Sequence, residues 1–164
     1  MRSLSLKTLV IGLGNPILSD DGVGVRVAED VQSLLPKDTE IIVTEVSVGG
    51  LTLMESMVGF DRVILIDAIQ LQNNKPGRIH RMSLLDLQEI SPTQHSASPH
   101  DTNLITALEM GQRIGLKIPK EIIIFAVEVE NVIDFSEELT PAVAAALPEA
   151  TAAVLAELQT CQSS

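Results

Sequence analysis

Residues 9–24, LVIGLGNPILSDDGVG, constrain the fold more than any other stretch of this chain. Leu9-Val10-Ile11 is a short apolar run, which predicts a buried strand. Gly12 and Gly14 follow at once, where the backbone must turn sharply or approach another segment closely. Asn15-Pro16 signals a loop, and Asp20 and Asp21 stand directly before a helical apolar pattern. A strand ending in glycines, a short loop and an acidic helix start put two carboxylates at the carboxyl end of a first parallel strand. Open α/β sheets build their sites there.

The rest of the chain continues in the same manner. Val27, Ala28, Val31, Leu34 and Leu35 recur at the spacing of one buried helix face, with Asp20 as the expected N-cap and Pro36 as the stop. Residues 40–46 predict a second strand, and 51–58 a short helix after Gly49-Gly50. Residues 62–68 (RVILIDA) predict a third strand, apolar without interruption until Asp67, as in a central parallel strand covered on both faces. The turn cluster Asn73-Asn74-Lys75-Pro76-Gly77 leads into an edge strand over 77–83. Its short link back from the third strand favours antiparallel pairing. Residues 91–99 predict a loop. A helix over 101–114 should turn Leu104, Ala107, Leu108 and Ile114 inward and stop at Gly115. Residues 121–129 predict the last strand. Thr140-Pro141 supplies an N-cap and first-turn proline to a final helix that buries Leu147, Ala150, Val154 and Leu158 and is kinked or split at Pro148.

This order predicts one domain over residues 1–164. Its fold class is α/β, a three-layer α/β/α sandwich on a mostly parallel five-stranded sheet with one antiparallel strand, phosphorylase/hydrolase-like. Right-handed crossovers place strand two on one side of strand one and strand three on the other, which puts the switch point between strands one and three. Asp21 then lies beyond the end of the first, and Asp67 at the end of the third.

Composition excludes several function classes. The net charge of −11 repels polyanions, and the chain has no Trp, no Tyr and three Phe, so platforms for stacking bases are missing. Nucleic acid and acidic membranes are not expected partners. Cys161 is the single cysteine and cannot form an internal disulfide, which fits a reducing, cytoplasmic setting. Arg2 and Lys7 precede an apolar run, but Asn15-Pro16 breaks it, which predicts a first strand rather than a signal peptide. No apolar stretch is expected to span a bilayer.

Within this frame a few side chains can carry chemistry. Asp67 ends a run of hydrophobes, where a carboxylate is costly unless solvated, paired or bound to a metal; a turn cap is the alternative. Asp21 at a helix start gains about 0.3–1 kcal/mol from the helix dipole, which explains one aspartate but not an adjacent pair. Gly22 and Gly24 after that pair are expected to leave room for a ligand. Of the three histidines, His80 is expected on the surface, while His95 and His100 share a loop. Ser98-Pro99-His100-Asp101 forms a rigid turn before a helix and would aim the His100 ring. Two carboxylates and an imidazole meeting at one sheet end would suit a borderline divalent metal with open positions. Other sites fail: Ile17 occupies the place of a dinucleotide site's third glycine, and there is no P-loop, nucleophile elbow or HExxH helix.

Taken together, these segments resemble the nickel–iron hydrogenase maturation endopeptidases over nearly the whole chain. Gly12-Leu13-Gly14-Asn15 through Ser19-Asp20-Asp21-Gly22-Val23-Gly24 is similar to that family's opening motif. Ile66-Asp67-Ala68 is similar to its second motif, Ser98-Pro99-His100-Asp101 to its third, and Leu139-Thr140-Pro141 to the start of its last helix. The resemblance implies an endopeptidase that removes the C-terminal extension of a hydrogenase large-subunit precursor after nickel insertion, letting the subunit close around its metal centre. It carries the metal-contacting positions onto Asp21, Asp67 and His100. The first of these is Glu or Asp in the family. The ion implied is nickel, as the precursor's own metal rather than a permanent cofactor; cadmium or zinc can replace it in a crystal. The chain departs from the family after strand two. Glu45-Val46-Ser47-Val48-Gly49-Gly50 stands where an Asp-Gly-Gly-Thr-like run linked to partner choice is common. Two alternatives differ in class. A peptidyl-tRNA-hydrolase-like esterase shares the GLGNP turn but needs a histidine soon after it, where this chain has Leu18-Ser19-Asp20-Asp21. A non-catalytic metal-recognition module docking on a metalloprotein would be separated from a protease by a cleavage assay on nickel-loaded precursor.

Overall fold

A computed structural model describes residues 5–90 and 101–160 of the chain, with side chains from residue 104 onward in the second segment. Five strands, β1 (Thr8–Leu13), β2 (Ile42–Val46), β3 (Arg62–Ile69), β4 (Ile79–Ser83) and β5 (Glu121–Glu128), form one sheet in the order β2-β1-β3-β5-β4. Five helices pack on it: α1 (Val23–Leu34), α2 (Gly50–Met57), α3 (Leu84–Ile90), α4 (Asp101–Arg113) and α5 (Pro141–Thr160). β1 pairs with both β2 and β3 in parallel, so the winding reverses between β1 and β3 as expected. β4 is antiparallel, also as expected, but its partner is β5 rather than the preceding β3. A buried apolar strand such as β5 satisfies its backbone and both faces in the sheet interior, which leaves the more polar β4 at the edge.

The period of two along each strand divides the core. Leu9, Ile11, Leu13, Val63, Leu65 and Ile124 face one layer, with Leu53, Met54 and Met57 of α2 and Leu104, Ala107 and Leu108 of α4. Val10, Ile64, Ile66, Phe125 and Val127 face the other, with Val27, Ala28 and Val31 of α1 and Val143, Ala150, Val154 and Leu158 of α5. Some inward expectations are corrected. Leu34 is 64% exposed, because α1's packed face ends at Val31; Ile114 is 69% exposed, because α4 ends at Arg113 before reaching it. Leu147 is only partly buried, at the margin of the α5 stripe. α3 was not legible: its seven residues are too few for a helical period to stand out. The loop expected over 91–99 lies outside the described residues.

α5 runs unbroken through Pro148 for 20 residues, neither split nor interrupted. The proline costs the bond from position 148 to the Ala144 carbonyl, and burial of the flanking turns keeps the helix continuous. By length and a mean hydropathy of 1.3, α5 is also long and apolar enough to cross a membrane, contrary to the expectation that no stretch qualifies. Its inward stripe is instead part of the second core layer.

The amino edge of the sheet is closed by charge. Arg62 is 1% exposed, and its Nη2 donates to the Glu157 carbonyl at 3.1 Å and to Glu157 Oε1 at 2.8 Å. Its Nε forms an ion pair with Glu121 at 3.0 Å. Arg81 grips the same Glu157 carboxylate twice, at 2.8 and 3.0 Å. Hydrogen bonds from Arg81, with the charge of Arg62 behind them, hold the Glu157 carboxyl below its usual range. Such a carboxyl stabilises the fold above its unfolded value of about 4.3, and the contribution fades as pH falls through the lower folded value.

Glycines set the contact between α1 and the sheet. A Cβ on Gly24 would lie 2.3 Å from the Ile66 carbonyl oxygen and 2.6 Å from that of Leu13, and one on Gly22 would lie 2.7 Å from the Pro16 Cα. The room expected there for a ligand is filled by backbone.

Two stability predictions follow from these contacts. Glu157→Gln removes the charge of one of the two carboxylates paired with the buried Arg62 and should cost about 1–3 kcal/mol at pH 7 in urea unfolding. Its difference from the unsubstituted protein should shrink in acid, as pH falls through the lowered folded value of Glu157 and the carboxylate protonates. Gly24→Ala should lose about 1–3 kcal/mol or more, because carbonyls rather than flexible side chains block the methyl. Equal midpoints for Gly24→Ala and the parent chain would remove the close-approach argument.

Candidate active site

The chain leaves β1 in a turn that folds back over the strand end. Gly14 has φ 142°, and a Cβ there would lie 1.9 Å from the Asp21 carbonyl oxygen, so a side chain has neither the conformation nor the space. The Asn15 N–H donates to Asp21 Oδ2 at 2.8 Å, the Asn15 Oδ1 accepts from the Ile17 N–H at 3.1 Å, and the Asp21 N–H returns to the Leu18 carbonyl at 3.1 Å. Asp21 sits in the 3-10 turn Ser19–Gly22 and is 7% exposed. The turn therefore fixes its carboxylate before any ligand arrives.

Asp67 comes from β3, on the sheet face shared with Leu65 and Ile69. It is 3% exposed, and its Oδ1 accepts from the Ala68 N–H at 2.8 Å. The 3-10 turn that carries Asp21 packs against β3, and Gly24 lies on the carbonyl of Ile66, the residue before Asp67. The sheet order and the glycines thus bring both expected carboxylates to one end of adjacent strands. His100 and His95 lie outside the described residues. Among the described residues, no group of three Asp, Glu, His or Cys side chains could hold a metal ion.

Asp20 behaves differently from its neighbour. The N-cap of α1 is Gly22, without a side-chain bond, so Asp20 does not cap that helix. Its fully buried carboxylate reaches instead across the fold. Oδ2 accepts from the N–H groups of Glu130 and Asn131, each at 3.0 Å, and from the Thr140 hydroxyl at 2.7 Å; Oδ1 accepts from the Thr140 N–H at 2.7 Å. Thr140, the residue before α5, thus gives both its hydroxyl hydrogen and its N–H to Asp20. Four donors offset the cost of burying this charge. The partners lie 110 to 120 residues away, and no local pattern in the sequence could reveal them.

His80 is also placed differently from expectation. Its ring is only 28% exposed, and Nε2 lies 2.8 Å from Glu128 Oε1. Glu128 is buried and also accepts the Lys75 N–H. In the sheet register Ala126 pairs with Asp67 on one side and His80 on the other. Both therefore stand on one face at the carboxyl half of the sheet, separated by a methyl group.

Several known proteins are similar to this chain in sequence and fold. A model of the hydrogenase maturation protease family matches residues 25–157. The hydrogenase 2 maturation protease of Escherichia coli (strain K12) is 31% identical over 156 residues, which cover 94% of this chain and 92% of that protein. The solved structure of the hydrogenase maturating endopeptidase HybD from E. coli superposes with a TM-score of 0.80 at 28% identity, over 94% of this chain and 93% of that one. The HybD protease of Thermococcus kodakarensis, at 24% identity, shares the fold with a TM-score of 0.73 over 91% and 97% of the two chains. The buried aspartates at the β1 and β3 ends thus belong to a recognisable peptidase scaffold, and this chain is a member of the hydrogenase maturation protease family.

Proposed function

We propose that this peptidase removes the C-terminal extension of a nickel–iron hydrogenase large-subunit precursor in the cytoplasm, after nickel has entered the precursor. The observation that carries this proposal is the delivery of Asp21 and Asp67 to the same end of neighbouring strands. Nickel is here part of the substrate. Asp21, Asp67 and His100 form the set that contacts it. Carboxylate oxygens and imidazole nitrogens bind first-row ions at about 2.0–2.2 Å. Two carboxylates and one imidazole also leave coordination positions for the precursor's own ligands. Because the Asn15 N–H and the Ala68 N–H each occupy one carboxylate oxygen, both side chains are oriented before the precursor arrives. Such an incomplete shell favours recognition of a metal already held by the client over permanent binding. The Glu45-Val46-Ser47-Val48-Gly49-Gly50 segment, where Val48 is exposed at the end of β2, bears on which hydrogenase is processed.

Adjacent aspartates provide the test. In a processing assay on nickel-loaded precursor, Asp21→Asn and His100→Ala should abolish cleavage while their thermal melts stay close to the parent's. His95→Ala should do much less. Asp20→Ala should lose cleavage and stability together, by about 3 kcal/mol or more, because several buried donors lose their acceptor. The free protein should bind nickel weakly in titration calorimetry. Normal cleavage by both Asp21→Asn and His100→Ala would exclude these residues from the site.

A further inference from the structure

We infer that Ile17, Ile133 and Phe135 form a docking surface for an apolar, basic-flanked segment of the precursor beside the site. This inference rests on the proposed function above. The segment 130–140 is stitched to the turn that carries Asp21. The Ser19 N–H donates to the Ser136 carbonyl at 2.8 Å, the Ser136 N–H to the Ile17 carbonyl at 2.9 Å, and the Asp20 N–H to the Asn131 carbonyl at 2.9 Å. Leu18 and Ser136 make an isolated parallel bridge, so Ile17 and Phe135 each neighbour a bridged residue in the chain. Asn131 closes the loop internally: its Oδ1 accepts from the N–H groups of Ile133 and Asp134, both at 3.1 Å.

On this fixed scaffold Val132 and Leu139 pack against the core, while Ile133 and Phe135 are 81% and 85% exposed and Ile17 is 46% exposed. Single exposed hydrophobes are ordinary; three of them on backbone hydrogen-bonded to the turn that carries Asp21 are what an anchoring surface requires. The fit is specific in charge as well. Glu130, Asp134, Glu137 and Glu138 are exposed around the apolar residues, on a chain of net charge −11. A partner with lysines or arginines flanking its apolar anchors complements that ring. Continuity with the Asp21 turn makes the occupant the same polypeptide that enters the site, rather than a separate effector.

The test uses the full chain and nickel-loaded full-length precursor. The Ile133→Ser/Phe135→Ser double variant should melt like the parent, bind precursor at least about tenfold more weakly in calorimetry, and show KM raised by a similar factor with kcat unchanged. A Leu85→Ser/Ile114→Ser control, exposed elsewhere, should bind normally. Added salt should weaken parent binding. Equal affinity of parent and double variant, with cleavage normal in both, would overturn the docking surface and leave the peptidase assignment intact. Binding without cleavage by the parent would overturn the assignment, and the affinity ratio would still decide on the docking surface. Absence of both overturns both. Loss of a homodimer in the double variant, without a change in precursor affinity, would make the patch a self-interface instead.

Discussion

The buried carboxylate of Asp20 is the interaction on which the rest of the carboxyl edge depends. It brings together the turn after β1, the segment after β5 and the first residues of α5, which lie far apart in sequence. A charge with no solvent contact would be prohibitive without donors, and here each donor comes from a segment that needs an acceptor. The same contact therefore satisfies three loose backbone groups and locates the neighbouring Asp21. Of the two adjacent aspartates, Asp20 holds three distant segments together, while Asp21 closes the turn after β1 through the Asn15 N–H.

Glycine makes the second contribution to that edge. Carboxylates at strand ends can act together only if the covering helix comes close enough. At Gly24 the backbone of α1 touches the carbonyls of both central strands. Four glycines within thirteen residues invite a ligand-binding interpretation, but at Gly22 and Gly24 the close approach is protein to protein. Among the described residues, this end of the sheet is thus assembled by tight packing of backbone.

Much of this was legible in the sequence, for physical reasons. The continuous apolar run ending in Asp67 could hardly be other than a central parallel strand, and the winding rule then placed β1 beside β3. The positions of Asp21 and Asp67 at one end of adjacent strands followed from those strand ends. What the sequence concealed depends on distant partners. Nothing local distinguishes Asp20 from Asp21, since acceptors 110 residues away decide their roles. His80 has the composition of a surface residue, and only the sheet register reveals its buried partner Glu128. Insertion of β5 between β3 and β4 is likewise a competition among strands for the interior, which a short connecting turn cannot foretell.

The final helix carries a consequence of its own. α5 is anchored at its first turn through Asp20 and Thr140 and near its last through Arg62, Arg81 and Glu157. A helix held at both ends cannot fray from either, even with a proline at its middle. It acts as a strut spanning the two poles of the sheet, tying the charged pole of Arg62 and Glu157 to the pole of Asp20. Its backbone amides should accordingly exchange with solvent as a single cooperative block together with the central strands.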